Sequence, residues 1–228
     1  MTVPLIDIVV PAAGVGKRMQ LSYPKQYAKL KDTTVIEHTV NSLLKFSLTH
    51  KVIIGISQED QFFSQTTLNE NAKVEVAFGG AERADTVLNC LDKVSTEYVM
   101  VHDAARPLIS LEDLSKLSSC IQESDFEGAI LACSVADTLK KVKNGLIECT
   151  VDRSDLYRAY TPQLFKTSLL KEALIKAKEQ GLNVTDDASA MQLCGYRVKI
   201  VEGRADNFKL TTQDDLNLAR IILGQDNV

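Results

Sequence analysis

The amino-acid sequence predicts an α/β fold, a doubly wound, mostly parallel, Rossmann-like sheet with helices on its faces. Short runs of apolar and β-branched residues, typical of buried parallel strands, alternate with longer segments whose apolar residues recur at helical spacing. This alternation favours right-handed crossovers, and such sheets bind ligands at the carboxyl ends of their strands. The strand-like runs lie at 6–11, 51–57, 73–79, 98–103, 129–135 and 197–201.

The helical segments carry their own boundary signals. Ser110 followed by Asp113 is a capping pattern at a helix start, and Gly181 is placed to end a helix. The polar stretch 59–70 is predicted to be helical or looped. Helices are predicted over 35–46, 84–91, 111–123, 168–180 and 187–193, and from about residue 212 onward.

The strand–helix rhythm breaks at 137–157. Two alternating segments there flank Asn144-Gly145, and Asn-Gly is the strongest short hairpin signal. An isolated hairpin is marginally stable in water, so this β-arm must pack against another surface. The residue pattern alone leaves two candidates, the rest of its own domain and a second subunit.

Composition sets the broad class of the protein. The 228 residues are 45% apolar and 25% charged, which is typical of a globular chain, and we expect one domain over 1–228. The net charge of −4 argues against a general nucleic-acid or membrane surface but allows a local basic pocket. Five scattered cysteines suit neither a disulfide framework nor a zinc site. With no secretory signal visible, we expect a cytoplasmic protein.

The stretch with the most specific chemistry follows the first strand. Small residues with Gly14 and Gly16 let backbone N–H groups approach an anion, and the helix expected next would point its positive end there. Arg18 and Lys25 add full positive charges, which predicts a triphosphate-binding loop. The stretch has neither the Walker A pattern nor the third glycine of the dinucleotide fingerprint. Taken alone, it is also compatible with a plain strand-to-helix turn.

The loop is the first of several motifs that together resemble the cytidylyltransferases acting on 2-C-methyl-D-erythritol 4-phosphate. The opening motif is P-A-A-G-x-G-x-R-M at 11–19, followed by P-K-Q-Y at 24–27. The later motifs span nearly the whole chain in a fixed order. They are G-G-A-E-R at 79–83, H-D-A-A-R-P at 102–107, T-V-D-R at 150–153, Y-T-P-Q at 160–163, T-D-D-A-S-A at 185–190 and E-G-R-A-D-N-F-K-L-T at 202–211.

The resemblance implies a nucleotidyltransferase with a GT-A-like sheet, acting in the non-mevalonate route to isoprenoid precursors. A substrate phosphate would attack the α-phosphorus of CTP, and pyrophosphate would leave. A phosphate monoester, with a second pKa of about 6, is largely dianionic at pH 7 and needs no protein nucleophile. The protein must supply charge neutralisation and positioning. The residues implied to do so are Arg18, Lys25, Arg153 and Lys209.

The resemblance also implies the binding residues. Mg²⁺ or another divalent cation, held by Asp103 and Asp206, would accompany the triphosphate. The arm 137–157 would clasp a second subunit in a homodimer, so that Arg153 reaches the partner's site. The residues implied to bind CTP are Ala12, Ala13, Gly14, Gly16, Gly79, Gly80, Arg83, Thr86 and Ala104. Those implied to bind the polyol phosphate, with Arg153 and Lys209, are Asp103, Arg106, Thr138, Thr161 and Thr185.

Two positions depart from the family's pattern. Ala81 stands where the family often has Asp, which leaves only a main-chain contact at that position. Thr86 stands where Ser is frequent, and it keeps the hydroxyl.

Other functions remain as alternatives. Ribitol 5-phosphate cytidylyltransferases share the fold and chemistry but tend to open A-G-G-x-G-T-R-M and to carry T-P-Q-S-F. The residues at 12–14 and 161–165 favour the erythritol substrate. A non-catalytic nucleotide-binding module would be expected to lose Arg18, Lys25 or Lys209, and all three are present. A nicotinamide oxidoreductase is disfavoured because the dinucleotide fingerprint is missing.

Overall fold

A seven-stranded sheet forms the centre of the computed structural model, which describes residues 3–14, 16, 19 and 22–224. The strands, in chain order, are β1 (Ile6–Pro11), β2 (Lys29–Leu30), β3 (Thr33–Thr34), β4 (Thr49–Ile56), β5 (Val74–Phe78), β6 (Tyr98–Val101), β7 (Gly128–Ser134), β8 (Leu139–Lys143), β9 (Leu146–Val151), β10 (Tyr157–Lys166) and β11 (Val198–Glu202). Strands β2 and β3 pair as a small hairpin, as do β8 and β9, outside the central sheet.

The central sheet has the order β11-β7-β10-β6-β1-β4-β5, and only β10 runs antiparallel to its neighbours. The mostly parallel sheet is therefore confirmed, but the sequence did not predict β10. Pro162 lies within this run, and proline is unusual inside a central strand. The structure accommodates it because the pairing with β7 breaks between Ala159 and Gln163, where Pro162 needs no ladder hydrogen bond.

The six predicted helices are present, with small changes at their ends. The Ser110 hydroxyl caps the third helix as predicted, but that helix ends at residue 119 and continues as a 3₁₀ turn over Cys120–Gln122. Gly181 follows the fourth helix with φ +63. The stretch 59–70 forms two short 3₁₀ turns. The helices are α1 (Val35–Leu44), α2 (Arg83–Leu91), α3 (Leu111–Ser119), α4 (Thr167–Glu179), α5 (Asp187–Leu193) and α6 (Gln213–Ile222).

Strand β1 lies at the centre of the apolar core. Its Ile8 packs with Ile54 in one buried cluster, whereas Val9 packs with Ile53 in the cluster on the other face. Alternate residues of a strand point to opposite faces, so a strand covered on both sides must be apolar at every position that packs. This is why Ile8, Val9 and Val10 form a continuous apolar run rather than an alternating one, while the buried Asp7 accepts a hydrogen bond from the N–H of Ser95.

The arm is the hairpin that the Asn-Gly signal predicts. Asn144 and Gly145 both have positive φ, at 52° and 81°, as a tight two-residue hairpin turn requires. Almost every side chain of β8 and β9 is exposed, including Leu146 at 75% and Ile147 at 66%. The described residues of this chain thus leave the apolar side chains of the arm uncovered.

The site is organised by the carboxyl ends of the strands. Strands β6, β1, β4 and β5 are neighbours in that order and run parallel, so the loops after β6, β1 and β5, which carry the predicted Asp and glycine residues, lie at one edge of the sheet. Because β10 is antiparallel, its Thr161 arrives at this same edge just beyond Val101 of β6. Across the part of the chain that the structure describes, no helix combines the length and apolar character needed to cross a bilayer.

Candidate active site

A half-open cavity of about 270 Å³ lies at the carboxyl edge of the sheet. Its walls come from the loop after β1, the loop before α2 and the turn after β6, with Lys25 and Lys209 contributed by two further segments. Most of the residues predicted to bind CTP line it. The described lining residues are Pro11, Ala12, Ala13, Gly14, Gly16, Lys25, Gln26, Gly80, Ala81, Glu82, Arg83, Thr86, Asp103, Ala104, Ala105 and Lys209.

The loop after β1 is held in place by its backbone. The N–H of Ala12 donates to the carbonyl of Gly55 at 2.7 Å, and the buried Gln26 amide donates to the carbonyl of Ala12 at 2.6 Å. Gly16 has φ +65, and a Cβ there would lie 2.6 Å from Lys25 Cγ. Glycine is therefore required both for the turn and for the lysine stem that lies against it.

Of the two cationic residues predicted in and after the glycine-containing loop, the structure describes Lys25 but not Arg18. Lys25 lines the cavity, and its ammonium donates to the carbonyl of Leu210 at 2.6 Å. Arg18 lies outside the described residues, as does its neighbour Lys17, so the catalytic role of Arg18 stays a prediction from the sequence.

The opposite wall is built on close contact between two loops. A Cβ on Gly79 would lie 2.4 Å from the Cβ of Ala13 and 2.9 Å from the hydroxyl of Thr86, so only glycine lets the loops meet. The Thr86 hydroxyl accepts from the N–H of Gly80 at 3.1 Å and donates to the carbonyl of Glu82 at 3.2 Å. Thr86 thus shapes the loop as well as lining the cavity.

Asp103 is surrounded by three cationic side chains. Its carboxylate lies 2.8 Å from Lys209 Nζ, 3.1 Å from Arg83 Nε and 3.6 Å from Arg106 Nε. Burial acts to raise the pKa of Asp103, but Arg83 and Lys209 more than reverse this and hold the pKa well below its usual range. The carboxylate is therefore ionised, and it holds the basic groups at one point of the cavity wall.

Arg83 is held from both sides. Its Nη2 lies 2.9 Å from the buried carboxylate of Asp187 while its Nε contacts Asp103. Burial would lower the pKa of Arg83, but these two carboxylates raise it above the usual value. Burial raises the pKa of Asp187 against the opposing effect of Arg83, and its Oδ1 has no hydrogen-bond partner among the described residues. The ion pair joins α2 to α5.

Arg106 is buried behind Asp103 and does not line the cavity. Its Nη1 donates to the carbonyl of Asn207 at 2.8 Å, and its guanidinium lies 4.7 Å from the centre of the Tyr160 ring. Asn207 in turn donates from Nδ2 to the carbonyl of Thr161 at 2.9 Å. Arg106 and Thr161, both predicted to contact the polyol phosphate, are thus parts of a buried network beside the cavity.

Several predicted residues lie away from the cavity lining. Thr138 and Arg153 are exposed at the base of the arm, just outside β8 and β9, and Thr185 is exposed before α5. Asp206 pairs with the guanidinium of Arg204 through both carboxylate oxygens, one of them 2.9 Å from Arg204 Nε. Their predicted roles in binding substrate or metal stay predictions.

Sequence reasoning assigned no role to four buried polar residues that hold the site together. These are Gln26, His102, Asp187 and Asn207, and each lies inside one of the motifs quoted above. The signal in the sequence that could have identified them is a polar residue that lies inside a motif and next to apolar residues. What it binds could be read only from the folded chain, because its partners are far away in sequence.

The predicted metal ligands are not brought together as a cluster. In the described ranges, no group of three His, Cys, Asp or Glu side chains could hold a metal ion. Of the two predicted ligands, Asp103 lines the cavity and Asp206 is absent from its lining.

A family model for 2-C-methyl-D-erythritol 4-phosphate cytidylyltransferase matches residues 6–225. The chain belongs to this family. The family's protein from Vibrio atlanticus is 46% identical over 221 residues, covering 95% of this chain and 94% of its own. The one from Aliivibrio fischeri is 48% identical over 229 residues, covering 98% and 96%. The crystal structure of the Francisella tularensis family member is similar with a TM-score of 0.83 at 31% identity, covering 95% and 99%.

Proposed function

We propose that this cavity joins CTP to 2-C-methyl-D-erythritol 4-phosphate, forming 4-diphosphocytidyl-2-C-methyl-D-erythritol and pyrophosphate in the isoprenoid pathway. Membership of the cytidylyltransferase family over residues 6–225 carries this proposal. The charge of the cavity supports it. Three described lining residues are cationic (Lys25, Arg83 and Lys209), against the two carboxylates of Glu82 and Asp103.

The reaction needs positioning and charge neutralisation rather than a protein nucleophile. An oxygen of the polyol phosphate forms a bond to the α-phosphorus of CTP while the bond from that phosphorus to the bridging oxygen of the leaving pyrophosphate breaks. The attacking dianion and the triphosphate repel each other, so cations must offset their charge in the transition state. Lys25 and Lys209 line the cavity for this role, and Arg18 is proposed from the family motif.

The nucleoside is proposed to lie between the two loops that touch at Gly79. Thr86 holds the N–H of Gly80, and Ala13 faces them from the loop after β1. A pocket walled by backbone groups can read a small pyrimidine through its hydrogen-bonding edge, and we expect it to exclude the larger purines by size. Ala81 lines this wall without a polar side chain, so recognition there falls to the main chain.

A divalent cation is proposed to enter with the triphosphate. Mg²⁺ keeps several waters and takes few protein ligands when it binds nucleoside triphosphates, so one carboxylate on the cavity wall fits it. Asp103 is that carboxylate, whereas both oxygens of Asp206 pair with Arg204. When bound, the cation would offset charge on the triphosphate oxygens. Arg83, Arg106 and Lys209 already surround Asp103, so an inner-sphere metal contact would have to displace one of them.

The arm is proposed to form a homodimer. Its exposed Leu146 and Ile147 need a cover that the described residues of this chain do not supply, and Arg153 at its base would then face the partner's cavity. The replacement of both apolar residues by Asp is expected to give a monomer in sedimentation experiments, with lost activity. Ile221→Asp, on α6 where the side chain is 58% exposed, should leave both unchanged. A wild-type chain that is monomeric and fully active would exclude this role.

All five cysteines are free thiols in the structure. This supports the proposal of a cytoplasmic, reducing location, because cysteines in oxidising compartments commonly pair.

The direct test is pyrophosphate release by the purified chain with CTP and MgCl₂. We expect release with 2-C-methyl-D-erythritol 4-phosphate and a cytidine diphosphate-linked product in mass spectrometry. Ribitol 5-phosphate and a reaction without a polyol phosphate are the controls. Release with ribitol 5-phosphate alone would reassign the substrate, and tight CTP binding without any product would indicate a non-catalytic module.

A further inference from the structure

Behind the cavity wall, His102 joins two of the segments that carry the site. It is fully buried between the end of β6 and the bend of β10. Its Nδ1 lies 3.1 Å from the hydroxyl of Thr161, and its Nε2 lies 3.0 Å from the carbonyl oxygen of Arg106. The Thr161 hydroxyl also accepts from the backbone N–H of Asp103 at 3.0 Å.

These contacts determine where the protons are. A carbonyl oxygen can only accept, so the nitrogen facing Arg106 must carry a proton. Full burial without a hydrogen-bonded carboxylate disfavours a charged imidazolium, so the other nitrogen, Nδ1, is left without one. Nδ1 then accepts from the Thr161 hydroxyl. The three hydrogen bonds therefore form a chain with one direction. The Asp103 N–H donates to the Thr161 hydroxyl, that hydroxyl donates to His102 Nδ1, and His102 Nε2 donates to the carbonyl of Arg106.

We propose that His102 is a positioning residue for the cytidylyl transfer, acting through Thr161 and the turn from Asp103 to Arg106. Its imidazole, protonated at Nε2 alone, binds the carbonyl that closes this turn, which also contains a 3.0 Å hydrogen bond from the N–H of Arg106 to the carbonyl of Asp103. It thereby holds the Asp103 carboxylate in place against Lys209.

A consequence follows for the polyol phosphate. Because the Thr161 hydroxyl donates its proton to His102 and accepts from the N–H of Asp103, it has one lone pair left and no proton to give. Thr161 is 4% exposed and is not part of the cavity lining, so its hydroxyl acts by holding the N–H of Asp103 rather than by donating to a phosphate oxygen. His102 thus affects the binding of the polyol phosphate indirectly, through Thr161 and the position of Asp103. This consequence rests on the proposed function, whereas the proton positions do not.

The first experiment reads the proton positions in the wild-type protein without substrate. The chain contains three histidines, so ring-¹⁵N labelling and long-range ¹H–¹⁵N correlation at pH 7.5 give few signals. Those of His102 are identified by their loss in His102→Gln. We expect a neutral ring with the proton on Nε2. A ring protonated on Nδ1, or on both nitrogens, would overturn the proposal whatever the enzyme's substrate is.

The second experiment separates positioning from folding by kinetics. Gln places a donor near the position of Nε2 but no acceptor for Thr161, whereas Asn places an acceptor near Nδ1. His102→Gln is expected to raise the KM for the polyol phosphate about tenfold, as for one lost hydrogen bond, and to change the KM for CTP less than about twofold. His102→Asn should restore much of the polyol KM. An equal rise in both KM values would refute the assignment.

A double variant tests whether His102 acts through Thr161. Thr161→Val removes the hydroxyl, so adding His102→Gln to it should raise the polyol KM no further. An independent second rise of about tenfold would show that His102 acts by another route. His50→Gln is the matched control, because His50 pairs with Asp7 near the amino ends of the strands and should leave both KM values unchanged. Should His102→Gln fail to fold, His102→Asn and the labelled wild type still decide the question.

Discussion

The replacement of Asp103 by Asn tests whether this carboxylate holds the site together. The change removes one negative charge from a position 2.8 Å from Lys209, 3.1 Å from Arg83 and 3.6 Å from Arg106, and it keeps the side-chain shape. Removing one partner of a buried ion pair costs about 3–5 kcal/mol. The loss of stability here should be at the lower end of this range, because Arg83 retains its ion pair with Asp187 and the Lys209 side chain is 38% exposed.

We therefore expect Asp103→Asn to lower the free energy of unfolding by about 3 kcal/mol at pH 7. For a chain of this size that corresponds to a fall in Tm of about 6–12 °C. Urea unfolding at pH 7 is the assay, with an unchanged m-value showing that the midpoint reports stability.

The pH dependence of this difference has a definite sign. The pKa of Asp103 is lower in the folded than in the unfolded chain, so the stabilisation is fully present above the unfolded value near pH 4. It is lost as the pH falls through the folded value. The gap in stability between the wild type and Asp103→Asn should therefore shrink on acidification.

Asp206→Asn is the matched control, since Asp206 pairs with the half-exposed Arg204. Its effect should stay within about 0.5 kcal/mol. Equal losses in the two variants, or a loss below about 0.5 kcal/mol for Asp103→Asn, would refute the view that Asp103 organises the cavity wall.

Three further changes test other parts of the site. Lys25→Met should lower kcat about 100- to 1000-fold in the pyrophosphate assay with little change in Tm, because it removes a preorganised charge and keeps an apolar stem; near-normal turnover would contradict the role. Gly79→Ala places a Cβ 2.4 Å from that of Ala13, forcing the two walls apart, and should weaken CTP binding about tenfold or more in calorimetry. Gly203→Ala, whose nearest neighbour atom would be 3.4 Å away, is its control. Burial lowers the pKa of His102 to about 4 from 6.5, so the wild type should lose about 3 kcal/mol of stability as the pH falls from about 6.5 to 4. His102→Gln should flatten that part of the profile in urea titrations, and an unaltered slope would count against a neutral His102.

The local elements were predictable because their signals are local. The strand at 6–11 is apolar at every position except Asp7 because both faces of β1 are covered, and this shows within six consecutive letters. The cap at Ser110 and the turn at Asn144-Gly145 each depend on residues a few positions apart. The mostly parallel sheet follows from the alternation of these elements, and most of the residues expected to bind CTP do line the cavity.

The place of β10 was decided only by the tertiary structure. Strand β10 contains Pro162, and proline is disfavoured in a central strand because it lacks an N–H donor. The pairing of β10 with both β6 and β7 outweighs this preference. Its antiparallel direction brings Thr161 to the carboxyl edge of the parallel strands. No signal within residues 157–166 specifies that direction, because it depends on which neighbours the strand meets.

The sequence by itself determined six of the seven central strands, the order of the helices, the hairpin and the small, basic loop after β1, since each rests on spacing within a few residues. Only the folded chain decided how the charges are arranged. Arg83 meets Asp187 across 104 positions, and His102 meets Thr161 across 59. Contacts of this kind leave no periodicity in the sequence, because they depend on packing of the whole sheet rather than on the geometry of any one turn.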